Sequence, residues 1–148
     1  MSAPRLRSLV LAAVLALGSG CGSFWSIADT DGTLEDSIRT YAKLVRWGEI
    51  ERASLFVDEE VRDDFVALAP ELARLHFTDF DLGPVDQQPD GEARLTVVYR
   101  FFDPSTMVER QVREAQVWTS PGTNVWIVRP DLSGFESALG TPRRKPSG

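Results

Sequence analysis

At Phe77 the sequence changes period. Upstream, apolar residues recur three and four apart: Leu34, Ile38, Tyr41, Ala42 and Val45, then Val61, Phe65, Leu68, Leu72 and Leu75. Downstream they recur at every second position, most plainly in Ala93, Leu95, Val97, Tyr99 and Phe101, set against Arg94, Thr96, Val98, Arg100 and Phe102. The first spacing keeps its apolar residues on one face only in a helix, the second only in a strand. The order predicts an α+β fold, with two to three N-terminal helices packed on a curved four-stranded antiparallel sheet.

Local chemistry marks the boundaries. Thr33 is suited to cap the first helix, with Asp36 three residues on in a capping-box pattern. Gly48 is suited to end it, and Ile50, Ala53 and Phe56 mark a second, shorter helix. Asp58 is placed to cap a third, which Pro70 kinks or restarts. Strands are predicted over residues 77–82, 93–102, 108–119 and 124–128, separated by stretches rich in Gly, Pro, Asp and Ser. The domain is expected over residues 33–132. Beyond Pro130 periodicity fades, and a disordered tail is expected over residues 133–148, basic at its end through Arg143, Arg144 and Lys145.

The segment before Thr33 carries an address. Arg5 and Arg7 precede nine apolar residues, 9–17, well short of the roughly 20 that a membrane-spanning helix needs. Residues 1–20 therefore read as an export signal. Gly18, Ser19 and Gly20 directly before Cys21, the only cysteine, resemble a bacterial lipobox, although Leu stands at the fourth position before Cys21 and Gly at the third, where Leu is usual. The resemblance implies cleavage before Cys21 and lipidation of its thiol by acyl chains such as palmitate, each buried methylene contributing about 0.8 kcal/mol to the anchor. Acylation would also consume a thiol that has no partner within the chain. The competing reading makes Cys21 an incidental residue beside an ordinary secretory cleavage site. No Asp follows Cys21, which by analogy implies a periplasm-facing place on the outer membrane. Residues 21–32 read as a tether, whose Phe24, Trp25 and Ile27 either dock on the domain or sit at the membrane interface.

Composition excludes several function classes. With 43% hydrophobic and 26% charged residues the chain is neither disordered nor polytopic. Without residues 1–20 it carries 14 basic against 22 acidic side chains, so neither nucleic acid nor an anionic lipid surface is an expected partner. One Cys and one His cannot supply the side-chain ligands of a structural zinc site, and no metal or cofactor is expected. Asp29, Asp31 and Gly32 fail as a calcium loop, because Ile27 and Ile38 fall where carboxylates are required. Gly18–Ser23 lacks the Lys-Ser/Thr ending of a phosphate loop, and there is no Gly-x-Ser-x-Gly. Asp58, Glu59, Glu60, Asp63 and Asp64 cluster at a helix start, where the helix dipole favours them.

The order of elements, the stretch from Tyr41 to Ala53 and the following Phe56-Val57-Asp58 resemble the nuclear transport factor 2-like superfamily across most of residues 33–130, and small exported bacterial lipoproteins of unknown role within it. The resemblance implies a cone-shaped fold whose interior holds the chemistry in enzymes of the group. Catalysis there would need an acid or base and an oxyanion stabiliser turned inward. The candidates are Tyr41, Tyr99 and Asp79, with Asp81 and His76 behind them. The competing readings make the tyrosines core-edge residues, the aspartates a solvated strand face and His76 a residue closing the third helix. Phe101 and Phe102 point to opposite faces, as Trp126 does against its neighbours, so Phe102, Trp126 and Arg100 are interface candidates, with a homodimer through the sheet as one form. Arg94, Arg100, Arg110 and Arg113 are expected to pair across strands with Glu109 and Glu114. The reading reached is a lipid-anchored periplasmic binding or accessory domain, non-catalytic, taking an envelope protein or a small apolar ligand. A small-cavity isomerase or lyase and a structural envelope lipoprotein are the alternatives.

Overall fold

A computed structural model describes residues 32–140. The expected export signal, Cys21, the expected tether up to residue 31 and the basic end of the tail lie outside the described residues.

Helix α1 (Leu34–Arg46) begins as its sequence dictates. The Thr33 hydroxyl oxygen accepts from the Asp36 amide and the hydroxyl donates to the Asp36 carboxylate at 2.7 Å. Acidic residues stand in its first turn and Lys43 and Arg46 in its last, matching the helix dipole. Gly48 follows at φ +72°, a left-handed conformation that costs glycine little. Helix α2 (Ile50–Ala53) runs into a short 3₁₀ turn, Ser54–Phe56. Asp58 caps α3 (Glu59–Ala67), and α4 (Ala69–Leu72) restarts at Pro70. His76 does not close this helical stretch: it opens β1, exposed, its ring 4.7 Å from that of Phe102.

The sheet is antiparallel with five strands, one more than expected: β1 (His76–Leu82), the short β2 (Asp86–Gln87), β3 (Ala93–Phe102), β4 (Glu109–Gly122) and β5 (Val125–Pro130). Its order is β1-β3-β4-β5, with β2 also pairing β3. The two-residue β2 lies inside a stretch that reads as turn, and only its pairing with Arg94 and Ala93 makes it a strand. The register slips between Phe77 and Asp79, and there the Thr78 carbonyl accepts from Arg46 at 2.6 Å, tying the end of α1 to β1.

One sheet face and the helices enclose the core. Leu95, Val97, Tyr99 and Phe101 of β3, Val112 and Trp118 of β4 and Val128 of β5 bury there with Ile38, Tyr41, Val45, Phe56 and Phe65. Two links lock the helical layer to β5. The Asp58 amide donates to the Val128 carbonyl at 2.8 Å, and Arg129 pairs with Asp58 and Glu60. At the other end of β5 the Gly32 amide donates to the Asn124 carbonyl at 3.0 Å.

The expected disordered tail is corrected over its first part. Residues 133–139 form helix α5 (Ser133–Leu139), closed by Gly140 at φ +70°. Phe135 is fully buried, its ring 5.7 Å from that of Tyr99 and 6.5 Å from that of Phe77. A seven-residue helix is marginal by itself, so burial of this one aromatic is the larger stabilising term. Gly134 lets it approach: a Cβ there would stand 2.5 Å from the Arg113 carbonyl oxygen. Gly134→Ala is accordingly expected to lower stability by about 1–3 kcal/mol despite its better helix propensity. A thermal melt checks this, and an unchanged melting temperature would show that α5 adds little.

Candidate functional site

The alternation of β4 sends Val112, Glu114, Gln116 and Trp118 to the core face. Two of these four are polar and fully enclosed: Glu114 is 0% and Gln116 1% exposed. Glu114 stands opposite Val97 of β3, one position removed from Tyr99 on the same face. Tyr41 reaches it from the apolar stripe of α1. The Tyr41 hydroxyl donates to Glu114 Oε1 at 2.8 Å, and the Tyr99 hydroxyl donates to Oε2 at 3.3 Å. Gln116 Nε2 donates to the same Oε2 at 2.5 Å. The Gln116 amide is in turn oriented by Trp118, whose indole N–H donates to Gln116 Oε1 at 2.8 Å. Among the described residues no buried side-chain polar atom lacks a partner.

Aromatic rings wall this chain in. Trp118 meets Tyr41 edge-on at 5.9 Å and Phe56 at 6.4 Å, Phe65 lies 6.0 Å from Tyr41, and Phe135 closes the side next to Tyr99. Burial disfavours the carboxylate and lifts Glu114 to about 7, with Asp131 adding to the rise. The Gln116, Tyr41 and Tyr99 donors pull in the opposite direction. Burial, and then the neighbouring Glu114, hold both phenols well above their ordinary range, so they remain donors. The arrangement can hold or release one proton near neutral pH on a carboxyl flanked by two phenols.

The sequence candidates fare unequally. Tyr41 and Tyr99 converge, but on Glu114 and not on Asp79. Asp79 lies exposed on the other sheet face, where Arg100 donates to it at 3.2 Å and also pairs with Asp81. This corrects the grouping of Asp79 with the tyrosines: the slip after Phe77 puts Asp79 opposite Arg100, and the alternation then turns it outward. The expected pairing of Glu114 with arginines is likewise corrected, since Glu114 faces inward and the arginines Arg94 and Arg113 outward. Arg94 pairs with its neighbour Glu92. Phe102 is half-buried beside His76, and Trp126 is half-buried against the core. Glu114 escaped the sequence reading because Gln111, Arg113 and Ala115 form a competing alternation in which neither set is clearly apolar. The available signal was that Glu114 shares parity with Val112 and Trp118.

Two shallow grooves lie elsewhere. One of about 380 Å³ runs between β4 and α5, and one of about 310 Å³ lies over Pro84, Thr96, Ala115 and Val117. Among the described residues no group of three or more His, Cys, Asp and Glu is placed to hold a metal ion, and no helix is long and apolar enough to cross a membrane. The chain matches no protein-family model and no curated protein sequence.

The proton on Glu114 has a measurable consequence. Its folded value of about 7 lies above the value near 4.3 of a free glutamate, so its neutral form favours the folded state. That contribution is complete below pH 4, declines as pH rises toward 7 and is lost above it, and amounts to about 3–4 kcal/mol. Glu114→Gln keeps the shape and removes the titration. The stability difference between wild type and Glu114→Gln, from denaturant melts at pH 5 and pH 8, should therefore move against the wild type at the higher pH. A difference independent of pH would show that Glu114 does not carry the proton.

Proposed function

We propose that this chain is a lipid-anchored periplasmic binding or accessory domain of the bacterial cell envelope, with an interior that is structural and a surface that recognises. One observation carries the reading: the interior groups suited to chemistry, Tyr41, Tyr99 and Glu114, are fully buried and hydrogen-bonded to one another. Their capacity is taken up within the fold, while both grooves lie on its surface. The nuclear transport factor 2-like resemblance is supported by the order of helices before an antiparallel sheet. The curved wall of such a cone is supported by the two register slips, after Phe77 and after Thr119, since bulges bend strands. The Cys21 anchor rests on the sequence alone.

A second reading, a small-cavity isomerase or lyase, is favoured by one specific feature. Glu114 near neutrality between two phenols is a general acid or base of suitable strength beside two donors for an oxyanion. It requires a route inward that α5 and its Phe135 close in this structure.

Two measurements separate these readings. Cell fractionation of Cys21→Ser should move the protein from the membrane to the soluble fraction, and retention on membranes would remove the anchor. The Trp118 indole N–H, followed by NMR during titration with small apolar ketones, should stay in place. A saturable shift that Glu114→Gln abolishes would favour the enzyme.

A further inference from the structure

Strand β4 extends past the end of β5. It pairs with β3 from Glu109 to Trp118, whereas β5 accompanies it only from Gln116 onward. Two hydrogen bonds fix which backbone groups this leaves at the edge. The Gly83 amide donates to the Thr96 carbonyl at 2.9 Å, so even-numbered residues of β3 turn their N–H and C=O toward β1 and odd-numbered ones toward β4. Glu114 stands opposite Val97, so even-numbered residues of β4 complete that ladder and odd-numbered ones face away. The Asp131 amide confirms this by donating to the Ala115 carbonyl at 2.8 Å from the far side. Glu109, Gln111 and Arg113 share that parity, and among the described residues no strand pairs with them there.

The shallow 380 Å³ groove lies along this edge. Arg110, Gln111 and Arg113 form one wall, and the small residues Gly134, Ser137 and Ala138 of α5 form the other. Charge singles out the same edge. Every other described arginine has a partner: Arg39, Arg52, Arg74, Arg94, Arg100 and Arg129 pair with carboxylates, and Arg46 and Arg62 donate to backbone carbonyls. Arg110 and Arg113 are exposed, and their side chains make no salt bridge or hydrogen bond among the described residues, although Asp103 feels the charge of Arg110. In a chain of net charge -6, the two uncommitted guanidinium groups flank one open strand edge.

We propose that this edge docks an extended acidic peptide segment of a partner protein, which adds a strand beside β4. Its main chain bonds to the N–H and C=O of Glu109 and Gln111, and its carboxylates meet Arg110 on the core-face side and Arg113 on the outer side. Gly134 already backs the Arg113 carbonyl, so Gln111 sets the register. The inference rests on the binding-domain reading and supplies that reading with a face.

The probe is a fluorescein-labelled heptapeptide of alternating Glu and Val, with its Lys/Val counterpart as control, titrated against the full chain. Fluorescence polarisation should show saturable binding of the acidic peptide, about tenfold or more tighter than the basic one, with slowed hydrogen exchange at the Glu109 and Gln111 amides. Gln111→Pro removes an edge donor that the β3 ladder does not use. It should abolish binding while leaving the far-ultraviolet circular dichroism unchanged. The double variant Arg110→Glu/Arg113→Glu should reverse the preference, and it carries the test alone if Gln111→Pro fails to fold. Equal affinity for both peptides, no saturation by about 1 mM, or undiminished binding to folded Gln111→Pro would each overturn the proposal. Self-association abolished by Gln111→Pro would assign the edge to a second copy and overturn it too. Membrane release of Cys21→Ser without peptide binding would keep the anchored domain and remove only this edge.

Discussion

A carboxylate taken out of water loses several kcal/mol of hydration, and a fold that encloses one must supply donors in place of that water. Glu114 meets this demand with side chains from three elements: Tyr41 of α1, Tyr99 of β3 and Gln116 of β4. The packing of α1 on the sheet is therefore constrained by a hydrogen-bond length as well as by apolar fit. Trp118 extends the constraint, because its indole fixes which end of Gln116 faces the carboxylate. A sheet register shifted by one residue would carry Glu114 and Gln116 outward together and leave both phenols buried with no acceptor. The network thus adds to the burial of Val112 and Trp118 in selecting one register.

The core and the edge of the sheet are joined through α5. Phe135 fills the space beside Tyr99, and the backbone at Gly134 rests on Arg113. One short helix therefore both seals the polar network and forms a wall of the groove outside it. Anything that moves α5 acts on the two together, since Glu114 and Arg113 are neighbours in sequence on opposite faces of the same strand.

Much of this architecture was legible because its determinants are local. Thr33, Gly48, Asp58 and Pro70 mark helix ends through hydrogen bonds and backbone angles that involve only their immediate neighbours. The strict alternation of β3 was equally plain. What stayed hidden depends on tertiary contact. Residues 133–139 carry Gly and two Ser, which weaken a helix, and the short stripe Leu132, Phe135, Ala138 and Leu139 becomes one by packing on the core, Phe135 against Tyr99 and Phe77. Asp86 and Gln87 are a strand only because Arg94 and Ala93 lie beside them. Glu114 was misplaced because charge normally argues for solvent, and a single sequence gives no account of two phenols converging from 15 and 73 residues away.

The hydrogen bond from Gly32 to Asn124 fixes where the described domain begins relative to its sheet. It fastens the start of the domain to the turn between β4 and β5, at one end of the longest strand. Glu109 lies thirteen residues away at the opposite end, a span of roughly 40 Å in extended chain. The described domain thus begins beside the β4–β5 turn, and the unpaired edge of β4 at Glu109 and Gln111 lies toward the other end of that strand. The start of the domain and that edge occupy opposite ends of one strand, so a change at either leaves the other's backbone in place.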